Sequence, residues 1–515
     1  MFDRPKVSTE KILGFVTPHL LIFYFITFFY TNNIGDFDFE NCLIIFVIIS
    51  GIVFPIQLSL QKIIKNSVKS NLVLLILLIG FFTFGNVNLL LNDYDIEIGK
   101  YRFLLPIYLG IISIVFYCII KYELDIKKIS KVMVTTVLMM IILSFMNLQM
   151  YETHYESTEY NSLTMSKIND LFKNDERVAP DIFYIVPDEY PGDENMSKHF
   201  GVENNDFNDY LKNHNFKIYE AYSNYHATLN SIPSTFNMEY IDPSFNQKTN
   251  PMHTKQEIDN SNFIRFLKYF NYKISTASSY SMDNNLDSAK NYCSSLLNID
   301  LIKNISQATV LQIFTNDILE YLSKDRLCVF TIHEDLILDN ENPNFVYIHL
   351  PVPHRDFNQT YYSFLDDENY LDEVIYNDEI LDDEVKKNFM RNLKFSNTLL
   401  MKMIDKILLE NNNSIIIING DHGFRDEITN RGMGNEIRPV SFNELISDYN
   451  TILAVFSQTE IDFPPQVSNV NVFRIIINQI FEQELEILDD EFYLLCKDSG
   501  QMREIKEFED SITCP

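Results

Sequence analysis

Cysteine is scarce in this chain, six among 515 residues, and no two of the six form a C-x-x-C pair. That excludes a cysteine-based zinc site and a dithiol redox motif. Basic residues are also in short supply: 41 Lys and Arg stand against 71 Asp and Glu, a formal net charge of −30. The deficit is uneven, because residues 1–150 carry 12 basic and 10 acidic side chains and the rest carry 29 and 61. Such an acidic excess leaves no basic patch for nucleic acid and repels the bulk of an anionic membrane surface. The acidic runs at 366–368 and 382–384 are read as solvated surface, since their spacing fits no calcium-binding loop. Internal repeats are absent as well, which rules out a solenoid or propeller.

Long apolar runs, by contrast, fill the first third. Five stand out, at residues 12–31, 41–61, 71–91, 103–120 and 132–149. Each approaches the ~20 residues needed to cross a bilayer. A cleavable leader would be one shorter stretch with a cleavage site, so five spans predict a permanent multi-pass anchor. The loops before span one, between two and three and between four and five hold ten basic residues, whereas the other two hold only Lys100 and Arg102 beside Asp93, Asp95 and Glu97. The positive-inside rule then puts the amino terminus in the cytoplasm, and an odd number of spans puts everything after Met150 outside. The expected location is the plasma membrane, multi-pass, with an extracytoplasmic domain. Within the spans His19, Asn86 and Asn88 are read as residues that tie helices together.

The remainder divides into a polar linker, residues 151–178, with one short amphipathic segment near Met165 to Phe172, and a domain at 179–515 large enough for a full core. Strands are expected at 181–187, 271–277, 327–332, 344–350, 414–419 and 451–456, and helices at 256–269, 304–324, 385–410 and 469–483. Strands alternating with helices predict an α/β fold with a mainly parallel sheet covered on both faces. Cys293, Cys328, Cys496 and Cys514 lie in this part, and an external location permits any of three disulfide pairings.

The richest segment for chemistry is SIIIINGDHG, Ser414 to Gly423. Ile415 to Ile418 read as a strand buried on both faces, after which the chain turns to present Asp421 and His422. Two metal-ligand types thus stand at the carboxyl end of a strand, where open α/β sheets build their sites. A second strand with a similar ending, DIFYIVP at Asp181 to Pro187, is followed at once by Asp188, Glu189 and Tyr190. A third element, SNYHATLNSIPSTFNMEYID, spans Ser223 to Asp242.

With these segments the chain resembles the alkaline phosphatase and sulfatase superfamily, in the membrane-bound branch of lipoteichoic acid synthases and phosphoethanolamine transferases. Thr228, Asn237 and Tyr240 have the branch's spacing of a threonine nucleophile, an asparagine nine residues on and a tyrosine twelve on. Asp188 matches the first acidic ligand, and Asp421 with His422 the closing ligand pair. Phe345 to His354, FVYIHLPVPH, resembles the strand and histidine that contact the substrate's anionic group, and Ser468 to Tyr493 resembles the closing segment. The likeness covers about Pro180 to Tyr493, in the family's order, and five spans before an external domain is the arrangement of lipoteichoic acid synthases. Two features depart from the pattern. Arg355 and Asp356 follow His354 where the family places a proline two residues on, and the C-x-P-x-R signature of true sulfatases is absent.

The resemblance implies one divalent cation, Mn, Mg or Zn, held by Asp188, Thr228, Asp421 and His422. A threonine hydroxyl is a poor nucleophile at neutral pH, and coordination to such a cation lowers its pKa. Thr228 would then attack a phosphoryl group steadied by the cation and His354. The implied reaction moves a phospho-alcohol group, phosphoglycerol or phosphoethanolamine, from a membrane lipid donor to a surface glycan or glycolipid through a phospho-threonine intermediate. The alternatives are a phosphoester hydrolase that uses water, and a catalytically silent membrane protein that keeps the fold for assembly or binding. His349 is read as a core histidine and Arg425 as a solvated arginine, with phosphate binding as its alternative. Orientation is testable: a reporter fused after residue 160 should be active only in the extracytoplasmic form, and activity only in the cytoplasmic form would overturn it.

Overall fold

The computed structural model describes residues 9–32, 39–94, 96–122, 126–157, 179–241, 258, 261–278, 290–293, 299–314, 328–335, 338–339, 341–354, 384–411, 413–425, 441–496, 501–506 and 512. Contacts divide the chain into two units, Met1–Thr158 with Ser295–Ser323, and Glu159–Ser294 with Lys324–Pro515.

The first unit is helical: α1 (Thr9–Asn32), α2 (Phe39–Ile64), α3 (Ser67–Asp93), α4 (Tyr101–Lys121) and α5 (Ile126–Ser157). Four contain segments long and apolar enough to cross a membrane, Gly14–Asn32, Phe39–Ile64, Ser67–Asn92 and Tyr101–Lys121. The apolar part of α5, Lys131–Met146, is shorter. Ile48, Ile52 and Phe54 on α2 and Ile111, Ile114 and Tyr117 on α4 stand exposed, as side chains facing hydrocarbon do. Polar residues tie the bundle. His19 Nε2 lies 3.2 Å from Gln57 Oε1, Gln57 Nε2 donates to Asn71 Oδ1 at 3.0 Å, and Asn88 Nδ2 donates to the Gly99 carbonyl at 2.6 Å. Asn86 is exposed.

Residues from Ser295–Ser323 also belong to this unit. A helix at Ile299–Ala308 and a 3₁₀ turn at Val310–Phe314 pack on α3, and Leu301 and Ile305 join the core that contains Leu78 and Phe82. The helix expected at 304–324 therefore starts earlier and breaks at Thr309; residues beyond 314 in that range lie outside the described residues.

The second unit is built on an eight-stranded sheet in the order β4-β3-β5-β1-β6-β7-β2-β8. Its strands are β1 (Ile182–Pro187), β2 (Lys217–Tyr222), β3 (Lys273–Ser278), β4 (Lys290–Asn291), β5 (Asn344–Leu350), β6 (Ile415–Asn419), β7 (Asn450–Phe456) and β8 (Gln466–Ser468). Only β7 runs against its neighbours, pairing antiparallel with β6 and β2. The central strands β1, β5 and β6 are buried along their whole length, which is why their sequences read as unbroken apolar runs.

Alternate residues serve the two faces. Tyr184, Tyr347 and Ile417 meet Phe236 of α7 (Thr228–Asn237), Phe263 of α8 (Asn262–Tyr269) and Phe473 of α11 (Asn469–Ile480), whereas Phe183, Ile348 and Ile418 meet Phe200 of α6 (Asp193–Phe200) and Leu400 and Met403 of α10 (Glu384–Glu410). Each such buried side chain contributes about 1.5–3 kcal/mol. The interior fixes the sheet's register, and with it the ends of the strands.

One expected strand is not a strand. Of the run expected at 327–332, residues 328–332 fall in α9 (Cys328–Asp335), a helix, and residue 327 lies outside the described residues. The β-branched and aromatic residues of that run signal strand propensity, but β5 already has β1 and β3 on its two sides. With no open edge beside β5, the segment coils and packs Val329, Phe330 and Ile332 into the face core. Cys328, at its start, is disulfide-bonded to Cys293, 35 residues earlier. Strands β2, β4 and β8, and a separate hairpin of β9 (Phe492–Cys496) and β10 (Gln501–Ile505), are not expected from the sequence.

Candidate active site

Strands β1 and β6 are parallel neighbours, paired from Ile182 with Ile415 to Ile185 with Ile418. Their carboxyl ends open side by side, so Asp188 emerges next to Asp421 and His422. All three are buried, and one potential ligand atom from each lies within 4.8 Å of the others. The turn that carries the second pair is shaped by β7, whose first residues pass close behind it. A Cβ at Gly423 would stand 2.4 Å from the Asn450 carbonyl oxygen and 2.8 Å from that of Asp448. Gly420 is as confined, with the Thr451 hydroxyl 2.0 Å from where its Cβ would be. Glycine is needed at both positions so that the backbone can approach β7.

Thr228 reaches the same place from another direction. It is the first residue of α7, and its hydroxyl donates to Asp421 Oδ2 at 2.6 Å. The other Asp421 oxygen accepts the backbone N–H groups of Glu189 and His422, each at 2.9 Å. Four residues expected from the sequence to act together, Asp188, Thr228, Asp421 and His422, are thus gathered at one point.

The protonation of His422 follows from its partners. Nδ1 lies 2.9 Å from the Gly423 carbonyl. A carbonyl only accepts, so Nδ1 carries the proton and Nε2 the lone pair. Burial and the Arg425 charge hold the ring's pKa down to about 3, and it is neutral. Nε2 makes no hydrogen bond among the described residues. It lies 3.7 Å from Asp188 Oδ1 and 3.5 Å from Asp421 Oδ2. A buried lone pair facing two carboxylate oxygens is repulsive unless a cation lies among them. The donor set of two carboxylates, an imidazole and a hydroxyl fits one divalent metal of the Mg, Mn or Zn kind.

His354 lies at the edge of this cluster. Its side chain is 22% exposed, and Nε2 is 3.7 Å from Glu189 Oε2. His349 is fully buried on β5, with Nδ1 3.2 Å from the Tyr347 hydroxyl. Asn237 and Tyr240 make contacts away from the cluster: the Asn237 backbone carbonyl accepts from Asn262, and the Tyr240 hydroxyl donates to the Asp489 carbonyl at 2.6 Å.

Arg425 corrects the sequence reading. It is not solvated but buried: Nη1 donates to the His226 carbonyl at 2.8 Å, and Nε stands 3.7 Å from Glu189 Oε1. An arginine within a few residues of a ligand pair reads as turn surface, and only the fold shows a fully buried Glu189 waiting for it. Glu189 is legible in the sequence as a carboxylate at a strand end. Its role as a link between Arg425 and His354 is not, because both partners are more than 150 positions away in sequence.

The fold is that of an α/β domain in which a buried cluster of Asp188, Asp421 and His422 meets a threonine hydroxyl at a helix amino terminus. Residues 180–436 match the Sulfatase family model, a stretch that includes Asp188, Thr228, His354, Asp421 and His422. The chain carries a sulfatase-family domain and is an enzyme of the alkaline phosphatase superfamily. Among solved structures it is similar to the periplasmic domain of phosphoethanolamine transferase EptC from Campylobacter jejuni, at 16% identity and a TM-score of 0.34 over 61% of this chain and 92% of that one. Another is the integral membrane lipooligosaccharide phosphoethanolamine transferase A from Neisseria meningitidis, at 13% identity and a TM-score of 0.35 over 93% and 96%. A third is the lipoteichoic acid synthase LtaP from Listeria monocytogenes, at 11% identity and a TM-score of 0.36 over 64% and 82%. No curated protein matches the chain.

The geometry can be tested in two ways. Metal analysis of the purified protein should find about one divalent ion per chain, lost in an Asp421→Ala, His422→Ala double variant; equal occupancy in both would refute the site. Gly423→Ala should push the ligand turn off β7, at a cost of about 1–3 kcal/mol in stability. Its metal affinity should fall in parallel, and wild-type melting and metal titration curves would show that the close approach does not hold the turn.

Proposed function

We propose that this protein is a membrane-anchored transferase that moves a phospho-alcohol group, of the phosphoglycerol or phosphoethanolamine type, from a lipid donor to a cell-surface glycan or glycolipid. The reading rests on one observation above all: the Thr228 hydroxyl, at the first residue of α7, donates at 2.6 Å to a buried carboxylate of the Asp188, Asp421, His422 cluster. A hydroxyl so held has a proton acceptor on one side and the positive end of a helix dipole behind it, which favours a developing negative charge. The sulfatase-family domain supports the same class of chemistry.

In the first half-reaction the Thr228 oxygen bonds to phosphorus, and the bond from phosphorus to the lipid's glycerol oxygen breaks. The threonine proton leaves by way of Asp421, and the departing alkoxide takes up a proton to become a diacylglycerol-type alcohol. In the second, an acceptor hydroxyl on the glycan attacks phosphorus, loses its proton and releases Thr228 with its hydroxyl restored. Asp188, Asp421, His422 and Thr228 would hold one divalent cation, which would lower the threonine's pKa and offset charge at phosphorus. His354, 22% exposed at the edge of the cluster, is suited to meet the substrate's anionic group. The four long apolar helices support a membrane location, and in this reading the catalytic unit lies outside the plasma membrane, where a surface glycan is found.

Thr228→Ala removes only a hydroxyl and a methyl group at a half-buried position. It should leave fold and metal content near wild type and lower turnover by several orders of magnitude. Peptide mass spectrometry after incubation with a lipid phosphodiester should find the phospho-alcohol on the Thr228 peptide. An added glycan acceptor should shorten its lifetime if the protein is a transferase, and release at the same rate by water alone would make it a hydrolase. Full activity without the hydroxyl would remove the covalent mechanism.

A further inference from the structure

The catalytic part of the chain makes an excursion into the helical unit. Chain leaves the sheet after β4, joins the helical unit over Ser295–Ser323, and returns to the other unit at Lys324. The Cys293–Cys328 disulfide closes this excursion at its neck, tying the two flanks together across a separation of 35 residues. Both cysteines pack against the second unit's core, so the staple is anchored in the sheet domain and the loop beyond it is free to be long.

The excursion reaches deep along α3. The Gln307 carbonyl sits where a Cβ on Gly85 would be, 2.0 Å away, and the Ala308 carbonyl carbon is at 2.5 Å. Gly85 is eight residues before Asp93, the end of α3, which at ~1.5 Å per residue is about 12 Å down the helix. It also falls within the segment Ser67–Asn92 that is long and apolar enough to cross a membrane. Leu301 and Ile305 are buried among Leu78 and Phe82, and the 3₁₀ turn packs on α3 as well. The absence of a side chain at Gly85 lets the two backbones touch, the device that helices use to pack closely in lipid.

A chain that breaks its helix at such depth must satisfy its own backbone. This one does. At the break, Thr309 N–H donates to the Ser306 carbonyl at 3.2 Å, Gln312 N–H to the Thr309 carbonyl at 3.1 Å, and Leu311 N–H to the Thr309 hydroxyl at 3.3 Å. The Thr309 hydroxyl in turn donates to the Ser306 carbonyl at 3.2 Å. The side chains that remain exposed on the turn are apolar: Leu311 at 37% and Phe314 at 54%. On α3 of the same unit Leu89 and Leu90 are exposed as well.

We propose that Ile299–Phe314 is a re-entrant element embedded in the lipid leaflet that surrounds the carboxyl-terminal half of α3, with Leu311 and Phe314 among the acyl chains. Its partner is the bilayer itself, and the Cys293–Cys328 bond closes the chain that leads into it and out again. The inference rests on the membrane reading of α1 to α4 and not on the proposed transfer reaction, so its test uses no activity. The full chain, with Cys42 and Cys118 replaced by Ser, would carry Phe314→Cys or Leu311→Cys, labelled with an environment-sensitive fluorophore and reconstituted in phosphatidylcholine vesicles. Lipids bearing a nitroxide on the upper acyl chain should quench either label several-fold more than aqueous iodide does. Leu409→Cys, at an 83% exposed position on α10, should show the opposite preference. Iodide quenching of both turn labels equal to that of the Leu409 label would overturn the proposal.

Discussion

Three buried carboxylates at the ends of two adjacent strands are the feature around which the catalytic unit is arranged. Asp188, Glu189 and Asp421 are each 1% exposed or less. An unpaired charge in such a place would cost several kcal/mol, so each must be matched by a cation or by donated hydrogen bonds. The matches come from separate parts of the chain. Arg425 faces Glu189, and the Glu189 and His422 amides and the Thr228 hydroxyl face Asp421; the His422 lone pair, turned toward Asp188 and Asp421, is no such match and would call for a cation among them. Glu189 adopts φ +61° to deliver its amide, a left-handed conformation that costs a non-glycine residue of the order of 1–3 kcal/mol. Strain of that size persists only where the surroundings over-determine it, and here one residue supplies an amide to one neighbour and a carboxylate to two others.

Behind the ligands lies a second layer of polar contacts. Tyr184 donates to Asn419 Oδ1 at 3.2 Å, Asn419 Nδ2 donates to the Ile452 carbonyl and to Asn469 Oδ1, and Asn469 Nδ2 donates to the Gly420 carbonyl at 3.0 Å. This chain of amides ties β1, β6, β7 and the start of α11 to the turn before Asp421. Buried networks of this kind are stiff when every member is satisfied. The position of the ligand pair is thereby set by the sheet and not by a mobile loop, which is what a site holding its reacting groups in fixed geometry requires.

How much of this can be read from residues alone depends on the range of the interaction. Ile415 to Ile418 and Ile182 to Val186 announce buried strands by composition, and a charged residue after such a run marks a strand end, so Asp188, Asp421 and His422 are legible locally. Thr228 is legible through its spacing to Asn237 and Tyr240, although those two make contacts away from the cluster. What stays hidden depends on pairing across long separations. Residues 327–332 have strand-like composition, yet those from Cys328 on form a helix, since β5 already has a neighbour on each side. Arg425 looks like surface because nothing local reveals Glu189 beneath it. The excursion at Ser295–Ser323 is amphipathic in sequence, but its partner, Gly85, lies more than 200 residues away.

Charge also bears on how the catalytic unit would meet a lipid donor in the proposed reaction. With 29 basic against 61 acidic residues beyond position 150, it gains no attraction from an anionic membrane surface. At physiological ionic strength the field of surface carboxylates fades over about 8 Å, so repulsion at the periphery need not reach a buried site. Inside, the balance is set locally by Arg425, the amino terminus of α7 and whatever cation the Asp188, Asp421 and His422 cluster holds. An anionic head group would therefore be recognised only at contact, after the helices, and the stapled excursion if it lies in the leaflet, had brought donor and site together. Capture by proximity rather than by long-range steering is the regime in which a membrane anchor contributes most, because it raises the local concentration of a lipid donor without requiring any affinity for the membrane surface.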